Sequence, residues 1–527
     1  MAKYFNTTGV CRPSKHYMVN LDRRLAEIRR MIDRQYYFVI NRGRQYGKTT
    51  TLAALKDFLQ QDFIVASLDF QFLTGAAFEN EQTFSTAFAR CFTLALRRIP
   101  EAKGEALDRI KKCAEDKNCS MAELFEELSE FCASAPKPVI LLIDEVDSAS
   151  NNQVFLDFLA LLRGYYLQRE EYPTFQSVIL AGVYDIRNLK QKIRPDSEHK
   201  HNSPWNIAAA FDVNMDLEAD GIAGMLAEYE ADHHTGMDVG RMAELLYEDT
   251  SGYPFLVSRL CQLLDEQVPG SAEFPDRQAA WSREGLLAAE KILLMEKNTL
   301  FDSLINKLTD YPKLRDLLYS MLFRGERVVY NSHNDVIQLA SMFGFVKNVN
   351  GALSIANRIF ETVLYNLFLS EEEVSNQTFT TAMADRNQFI RDGFLDMELL
   401  LKKFVLHWND LYHSADEKFI EENGRKFFLL YLKLVINGVG NYYIEARTRD
   451  QGRTDVIVDY RGRQYIIEIK IWRGDEYNRR GEAQLASYLE SYHAQKGYML
   501  SFNFNKKKEP GVKEISCGGK VIFEAMV

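Results

Sequence analysis

Short apolar runs alternate with amphipathic stretches along the first half of the chain. The runs cover residues 37–40, 63–70, 139–143 and 175–183. Runs without polar alternation are typical of parallel strands buried on both faces, and the apolar spacing between the runs is that of helices. This pattern predicts an α/β protein with a doubly wound parallel sheet, which binds its ligands at the carboxyl ends of the strands.

A tight loop follows the first apolar run, with the sequence NRGRQYGKTT over residues 41–50. Gly47 would let the backbone approach a phosphate, Lys48 would reach the β- and γ-phosphates of a nucleotide, and the Thr49 hydroxyl would hold Mg²⁺. The full phosphate-loop pattern has a glycine where this chain has Arg42, so an ordinary strand-to-helix turn is the alternative. The predicted nucleotide-binding residues of the loop are Gly43, Gly47, Lys48, Thr49 and Thr50.

Two acids end the third apolar run, in the sequence PVILLIDEVD over residues 138–147. Unpaired carboxylates at the end of a buried strand are costly unless a metal or a cation compensates them. Asp144 would bind Mg²⁺, and Glu145 would polarise the water that attacks the γ-phosphate. The loop and the acidic strand together predict ATP and Mg²⁺ as ligands, whereas the loop alone would not.

The first half of the chain resembles a known family. Four features appear in the same order, namely the loop, the acidic strand, SPWNIA at 203–208 and SGYPFLVSRLCQLL at 251–264. This order is similar to bacterial AAA-like ATPases related to the origin-recognition and STAND groups, whose usual loop also replaces the first glycine. The resemblance implies a P-loop ATPase with a helical lid over residues 1–270. The stretch Tyr17 to Val19 could then pack on adenine or belong to the core.

Residues 271–370 read as helices followed by two short strands that meet at Asn350-Gly351, which is a hairpin signal. This order predicts a winged-helix-like domain, and both DNA binding and packing remain open as its role. Residues 371–400 are predicted to form a linker and a helix, with the polar run 370–377 as the linker itself.

Three strands are predicted after residue 438, at 442–447, 455–460 and 464–471. Glu468 and Lys470 lie two positions apart and therefore share one face, and Asp455 begins the neighbouring strand. Two carboxylates and a lysine at one place suit a hydrolytic metal site, in which Asp455 and Glu468 bind Mg²⁺ and Lys470 orients or deprotonates the attacking water. The alternative is an exposed ion pair beside a turn residue. We expect these charges at the mouth of a site and not in a core.

The region around these residues resembles the PD-(D/E)xK nuclease superfamily. Asp455, Glu468 and Lys470 match its core, although Thr454 stands where the family has proline. The resemblance covers the C-terminal part of the chain and implies an α/β restriction-endonuclease-like domain over residues 401–527. It also implies two further site residues, Gln484 and an upstream glutamate, for which we favour Glu421 over Glu422.

Net charge and cysteine content indicate which partners and which cellular compartment to expect. The net charge is −10, but residues 441–513 contain 14 Lys and Arg against 10 Asp and Glu, so this stretch carries +4 and the remainder −14. A basic C-terminal module predicts nucleic acid as the partner, with DNA favoured. Seven cysteines without a C-x-x-C pair argue against zinc and a disulfide framework. The absence of a signal-like start and of a membrane-length apolar run predicts a cytoplasmic protein that does not enter membranes.

The combined interpretation is an ATP-hydrolysing protein that controls a Mg²⁺-dependent endonuclease, with defence against phage or mobile elements as its role. The alternative is a nucleotide-switched protein that binds nucleic acid or signals without cleaving. A DNA-translocating motor ranks lower, because no arginine finger is identifiable, and assembly into homo-oligomers is left open.

Overall fold

The computed structural model describes most of the chain. The described residues are 3–183, 205–324, 328–373, 386–412, 427–429, 431–432, 440–445, 454–460, 463–471, 479, 481–483, 485–486, 489–490, 494–503 and 510–527. The chain divides into two compact units. The first comprises Met1–Tyr247, Gly252–Ser282 and Met342–Gly344, and the second comprises Glu248–Ser251, Arg283–Ser341 and Phe345–Val527.

A parallel sheet forms the centre of the first unit. Its strands are β1 (Phe38–Asn41), β2 (Ile64–Asp69), β3 (Val139–Asp144) and β4 (Ser177–Gly182). Their order in the sheet is β1-β4-β3-β2, and every pair is parallel. A single parallel bridge between Phe38 and Ala209 extends the β1 edge. The strands lie where the apolar runs predicted them.

Helices cover both faces of this sheet. They are α1 (Asp22–Asp33), α2 (Lys48–Leu59), α3 (Glu81–Leu96), α4 (Glu105–Glu115), α5 (Met121–Ser134) and α6 (Gln153–Leu167). Alternate strand residues enter two separate cores, so that Phe38 and Ile40 pack with α1 and α2, whereas Tyr37 and Val39 pack with α3 to α6. This two-sided burial explains the continuous apolar runs and confirms the predicted parallel sheet with helices.

Four further α-helices follow in the described part of the first unit: α7 (Ala219–His233), α8 (Val239–Thr250, of which the last three residues belong to the second unit), α9 (Pro254–Glu266) and α10 (Arg277–Ala280). Tyr17 is buried against Phe5 and Tyr229 and donates a hydrogen bond to Asp232. The structure therefore places Tyr17 in a core, as one of the two alternatives had it.

The second unit begins with helices. They are α11 (Arg283–Met295), α12 (Thr299–Asp310), α13 (Pro312–Tyr319), which continues as a π-helical turn over Ser320–Arg324, and α14 (Asp335–Met342). Strands β5 (Val346–Val349) and β6 (Ala352–Ile355) then form an antiparallel hairpin. The φ angles of Asn350 and Gly351 are 52° and 82°, as a type I′ turn requires, so the hairpin prediction is confirmed.

Helix α15 corrects one prediction. It runs over Arg358–Glu373 and therefore occupies the start of the polar run 370–377 that was expected to be a linker. Acidic residues at 371–373 do not end a helix by themselves, since glutamate is a good helix former. Composition alone therefore placed the end of this helix too early.

A mixed sheet forms the C-terminal part of the second unit. A short hairpin of β7 (Ile390–Arg391) and β8 (Phe394–Leu395) and helix α16 (Met397–Tyr412) precede it. Its strands are β9 (Gly440–Glu445), β10 (Thr454–Tyr460), β11 (Arg463–Ile471), β12 (Lys496–Phe502), β13 (Gly511–Cys517) and β14 (Lys520–Met526). Their order is β13-β14-β12-β11-β10-β9. The three strands predicted after residue 438 are β9, β10 and β11, and they pair antiparallel.

The two faces of the mixed sheet are covered by different elements. Ile457, Ile466 and Met499 pack with the helical residues Leu485 and Leu489 on one face. On the other face, Trp408 of α16 lies 5.2 Å from the Phe502 ring, centroid to centroid. Among the residues described above, no helix is both long enough and apolar enough to cross a membrane.

Candidate functional site

The loop between β1 and α2 has the sharp turn that its sequence predicts. Gly47 caps the amino end of α2 with a φ angle of 74°, and Gln45 also has a positive φ, 57°. A β-carbon on Gly43 would come within 3.0 Å of the Phe343 carbonyl oxygen, so the close backbone approach falls at position 43. Arg42 donates to the Asn41 carbonyl, and its guanidinium lies 5.7 Å from the Phe211 ring centroid. The arginine that departs from the pattern thus anchors the start of the loop.

Lys48 points back into the loop from the first turn of α2. Its ammonium donates to the carbonyl oxygens of Arg42 and Gly43, at 2.8 Å each, and the residue is 9% exposed. Burial lowers the pKa of Lys48, and the charges of Asp147, Glu145 and Asp144 oppose that effect. The loop therefore holds its cation close to the backbone that would surround a phosphate.

The predicted Mg²⁺ ligands meet at the carboxyl end of β3. Asp144 is 7% exposed; burial raises the pKa of its carboxyl group, and a hydrogen bond with the Thr49 side chain opposes that rise. A hydroxyl and a carboxylate in contact are the kind of oxygen ligands that Mg²⁺ prefers. The residues present therefore fit a Mg²⁺ ion between α2 and β3.

Glu145 directly follows Asp144 and has the left-handed conformation, with φ 54° and ψ 40°. Its amide donates to Asp144 Oδ1 at 2.9 Å. Partial burial of the carboxyl group, together with the charge of Asp144, raises the pKa of Glu145.

Thr50, the last residue of the predicted nucleotide-binding set, also contacts the N-terminal segment. Its Oγ1 accepts a hydrogen bond from the Cys11 amide at 3.1 Å. The phosphate loop is thereby tied to residues that precede α1, and the role of Thr50 toward nucleotide stays a prediction.

Residues near the start of α9 contact the phosphate loop, and sequence reasoning assigned them no role at the site. Tyr253 donates to the Arg44 carbonyl, and its ring centroid lies 4.5 Å from that of Tyr46. Pro254 would lie 3.9 Å from a β-carbon on Gly47. The stretch SGYPFLV marked the lid, but only the fold shows that its tyrosine reaches the loop.

A second group of charged residues lies on β11 in the other unit. Glu468 is 1% exposed and Lys470 is 4% exposed. The expectation that these charges lie at the mouth of a site is wrong, as is the alternative of an exposed ion pair. Both side chains enter the face of the sheet that the helical residues 481–483, 485–486 and 489–490 cover, because β11 is a central strand.

Gly481 shows how closely the helical residues approach this pair. A β-carbon on Gly481 would come 2.7 Å from Lys470 Nζ and 3.4 Å from Glu468 Oε1. Asp455 is the cross-strand partner of Glu468 in the β10–β11 register. Its side chain, and the whole of Glu421, Glu422 and Gln484, lie outside the described residues.

Sequence reasoning missed a neighbouring polar network on the same sheet. The fully buried Glu524 accepts a hydrogen bond from Ser501 Oγ at 2.6 Å. It also forms an ion pair with Lys513, whose Nζ lies 2.9 Å from Glu524 Oε2. Ser501 is the register partner of Lys470, so the network continues the charged row across β12, β14 and β13. Among the described side chains, no group of three or more His, Cys, Asp or Glu residues is arranged to hold a metal.

A family model described as an AAA-like domain matches residues 14–366, which is more than half of the chain. The chain belongs to the AAA-like domain family. The phosphate loop, the acidic end of β3 and the parallel sheet are accordingly those of a P-loop ATPase domain. Residues 367–527, which contain the mixed sheet, lie beyond the matched AAA-like region.

Solved structures resemble this AAA-like chain only weakly. A Walker-type ATPase of Pyrococcus abyssi is 13% identical, covers 68% of this chain and 99% of its own, and gives a TM-score of 0.45. ORC1 of Aeropyrum pernix in complex with DNA is 14% identical, covers 67% of this chain and 94% of its own, and gives a TM-score of 0.30. ORC2 of Aeropyrum pernix in its ADPNP–ADP complexes is 12% identical, covers 70% of this chain and 97% of its own, and gives a TM-score of 0.37. No curated protein matches the chain.

Proposed function

We propose that the first compact unit, the AAA-like unit that contains the phosphate loop, binds and hydrolyses ATP and thereby controls a Mg²⁺-dependent nuclease in the C-terminal sheet, with DNA as the favoured substrate. The observation that carries the nuclease assignment is the burial of Glu468 and Lys470 on β11, with the helical residue Gly481 packed against both. Buried charges of this kind are costly, and charged groups shifted by burial cluster at functional sites.

ATP binding is supported by the loop and its surroundings. Lys48 would take the β- and γ-phosphates, and Thr49 and Asp144 would share the Mg²⁺ that accompanies them. Glu145 would orient and deprotonate the attacking water, and its raised pKa suits a base that must release its proton again.

The C-terminal residues fit a second Mg²⁺ site. The Glu468 carboxylate offers hard oxygen ligands, and its register partner Asp455 would supply the second carboxylate. A bound Mg²⁺ would polarise the scissile phosphate and lower the pKa of its water. Lys470 would orient or deprotonate that water, and Ser501 and Glu524 would keep the neighbouring strand polar.

The elements from α12 to β6 support a winged-helix-like domain. Helices α12 and α13 are followed by a bridge between Val329 and Ala352, then by α14 and the β5–β6 hairpin. Helix α14 contains Asp335 and no lysine or arginine, and Lys347 is the one basic residue of the hairpin strands. Helix α14 and the hairpin strands therefore contain only one basic residue. This favours a packing role over DNA binding, since phosphate contacts dominate affinity for DNA.

The same burial favours a second function. With Glu468 and Lys470 nearly inaccessible, a phosphodiester reaches them only after the covering helical residues move. A protein that grips nucleic acid and signals without cutting has no need for that movement. Defence against phage or mobile elements is compatible with either function.

The test is incubation of the purified protein with linear, circular and single-stranded DNA and with RNA, each with and without Mg²⁺ and ATP. We expect Mg²⁺-dependent cleavage whose rate changes with ATP. Binding without cleavage under every condition, with Mn²⁺ included, would replace the nuclease by the switch. Absence of ATP turnover together with absence of ATP binding would contradict the nucleotide assignment.

A further inference from the structure

One peptide group joins the phosphate loop to the turn that follows β3. The carbonyl of Gly182 accepts a hydrogen bond from the Arg42 amide at 3.3 Å. The amide of Val183, on the other side of the same peptide, donates to Asp147 Oδ2 at 2.6 Å. The end of β4 is thus hydrogen-bonded both to the start of the phosphate loop and to the carboxylate of Asp147.

No side chain fits at position 182. A β-carbon there would come 2.8 Å from Asp147 Oδ1 and 2.9 Å from Val146 Cγ2. Real β-carbons essentially never approach other atoms this closely, so the carboxylate of Asp147 packs directly on the backbone of β4. The glycine is needed for this close approach.

Asp147 also belongs to the turn that carries Glu145. The left-handed conformation of Glu145 is disfavoured for a residue with a β-carbon and persists only where its surroundings hold it. Ser148 donates its amide to the Glu145 carbonyl at 3.2 Å, and Ser150 Oγ donates to the Asp147 carbonyl at 2.8 Å. The Asp147 side chain fixes the other end of this turn to β4.

The charge of Asp147 acts on Lys48. Burial lowers the pKa of Lys48, and among the acids that oppose this, Asp147 has the largest effect, ahead of Glu145 and Asp144. A residue that touches β4 and shares the turn of Glu145 is placed to relate the phosphate loop to the base.

We propose that Asp147 is a positioning residue for ATP hydrolysis, which keeps Glu145 in register with the phosphate loop through the Gly182–Val183 peptide. The inference rests on the proposed ATP hydrolysis. Asp147 needs only to accept a hydrogen bond for this role, so its acceptor geometry matters more than its charge.

The experiment compares Asp147→Ala and Asp147→Asn with wild type in ATP affinity and turnover. Displacing a catalytic group by about 1 Å costs roughly a hundredfold in rate, so Asp147→Ala should lose turnover to about that extent while its ATP affinity stays within about threefold. Asp147→Asn keeps an acceptor oxygen and should recover most of the turnover. Asp116→Ala is the matched control, because Asp116 likewise accepts one backbone amide, that of Asn118 at 2.9 Å, but does so in the loop between α4 and α5.

Two outcomes of the turnover assay overturn the inference. One is turnover of Asp147→Ala equal to wild type, and the other is an Asn variant as inactive as the Ala variant, which would assign the effect to charge. Amide hydrogen exchange gives a readout that needs no activity, since exchange at Val183 should accelerate in Asp147→Ala and in Gly182→Ala but not in Asp147→Asn. If wild type hydrolyses no ATP, the proposed function fails, and unchanged exchange at Val183 would then still overturn the positioning role.

Discussion

The nucleotide site and the C-terminal charged site place their acids differently in their sheets. In the AAA-like unit, Asp144 and Glu145 lie at the carboxyl end of β3, where a turn leads away from the buried strand. In the C-terminal sheet, Glu468 and Lys470 lie within central strand β11 and enter a covered face. Glu145, just past the end of its strand, is exposed, and Asp144 beside it is 7% exposed, whereas acids within a strand need neighbouring elements to compensate or to uncover them.

The largest effect that separates the two sites is on cleavage. Asp455→Ala or Lys470→Ala should lower nuclease activity by at least about a hundredfold, because metal or acid–base assistance is lost. ATP hydrolysis should stay unchanged, because these residues belong to the other unit. A gel assay of DNA cleavage run beside an ATPase assay measures both. Lys520→Ala, on the same sheet, is the control. Cleavage by Asp455→Ala at the wild-type rate would contradict the proposed nuclease site.

The reciprocal change lies in the nucleotide site. Glu145→Gln should keep ATP affinity and slow ATP hydrolysis by about a hundredfold, since the general base is lost while Lys48, Thr49 and Asp144 remain. Equilibrium ATP binding and steady-state turnover check the two parts separately. Hydrolysis at the wild-type rate would show that another group activates the water.

The geometry of the nucleotide site could be predicted from the sequence better than that of the C-terminal site, because the residues of the phosphate loop are neighbours in the sequence. Gly47, Lys48 and Thr49 are consecutive, so a strand, a loop and a helix bring them together without help from distant residues. The role of Tyr253 could not be predicted, because Tyr253 is far from Arg44 in the sequence. Their contact depends on where the helical lid packs. Contiguous motifs specify their own geometry, whereas contacts between distant segments do not.

In the C-terminal sheet, period two correctly put Glu468 and Lys470 on one face but could not say which face was covered. Their burial depends on the helical residues around Gly481, which approach within side-chain contact. Ser501 and Glu524 belong to no sequence motif, so nothing in the sequence marked them. The end of α15 was placed too early for a related reason, since polar composition resembles that of a linker.

Stability should distinguish the two sites next. Glu468→Ala removes a buried carboxylate beside a buried ammonium and should lower the free energy of unfolding of its unit by about 2–3 kcal/mol. Glu145→Ala, at an accessible turn, should change it by about 0.5 kcal/mol or less. Chemical denaturation of the full chain, followed by a probe in each unit, measures both. Equal losses would mean that the burial difference has no energetic consequence.

The smallest expected effect is on pH dependence. Glu145 acts only when ionised, and its pKa is raised above the usual 4.5 by partial burial and by Asp144. ATP hydrolysis should therefore begin to fall on acidification at a higher pH than an ordinary glutamate would give, and Glu145→Gln should lack this acidic limb. Because the folded-state pKa is raised, the protonated form favours folding, and that contribution is lost as the pH rises through the folded-state pKa. A wild-type profile that is flat down to the usual glutamate range would contradict the assigned base.

We propose above all that nucleotide in the AAA-like unit controls chemistry in the C-terminal sheet. The most direct measurement is the rate of linear DNA cleavage in Mg²⁺, with and without ATP, for wild type and Lys48→Ala. Lys48→Ala should lose ATP binding, because the ammonium is the main positive charge on the phosphates. We predict that ATP changes the cleavage rate of wild type and leaves that of Lys48→Ala unchanged. An equal response to ATP in both proteins, or no cleavage by either, would contradict the claim.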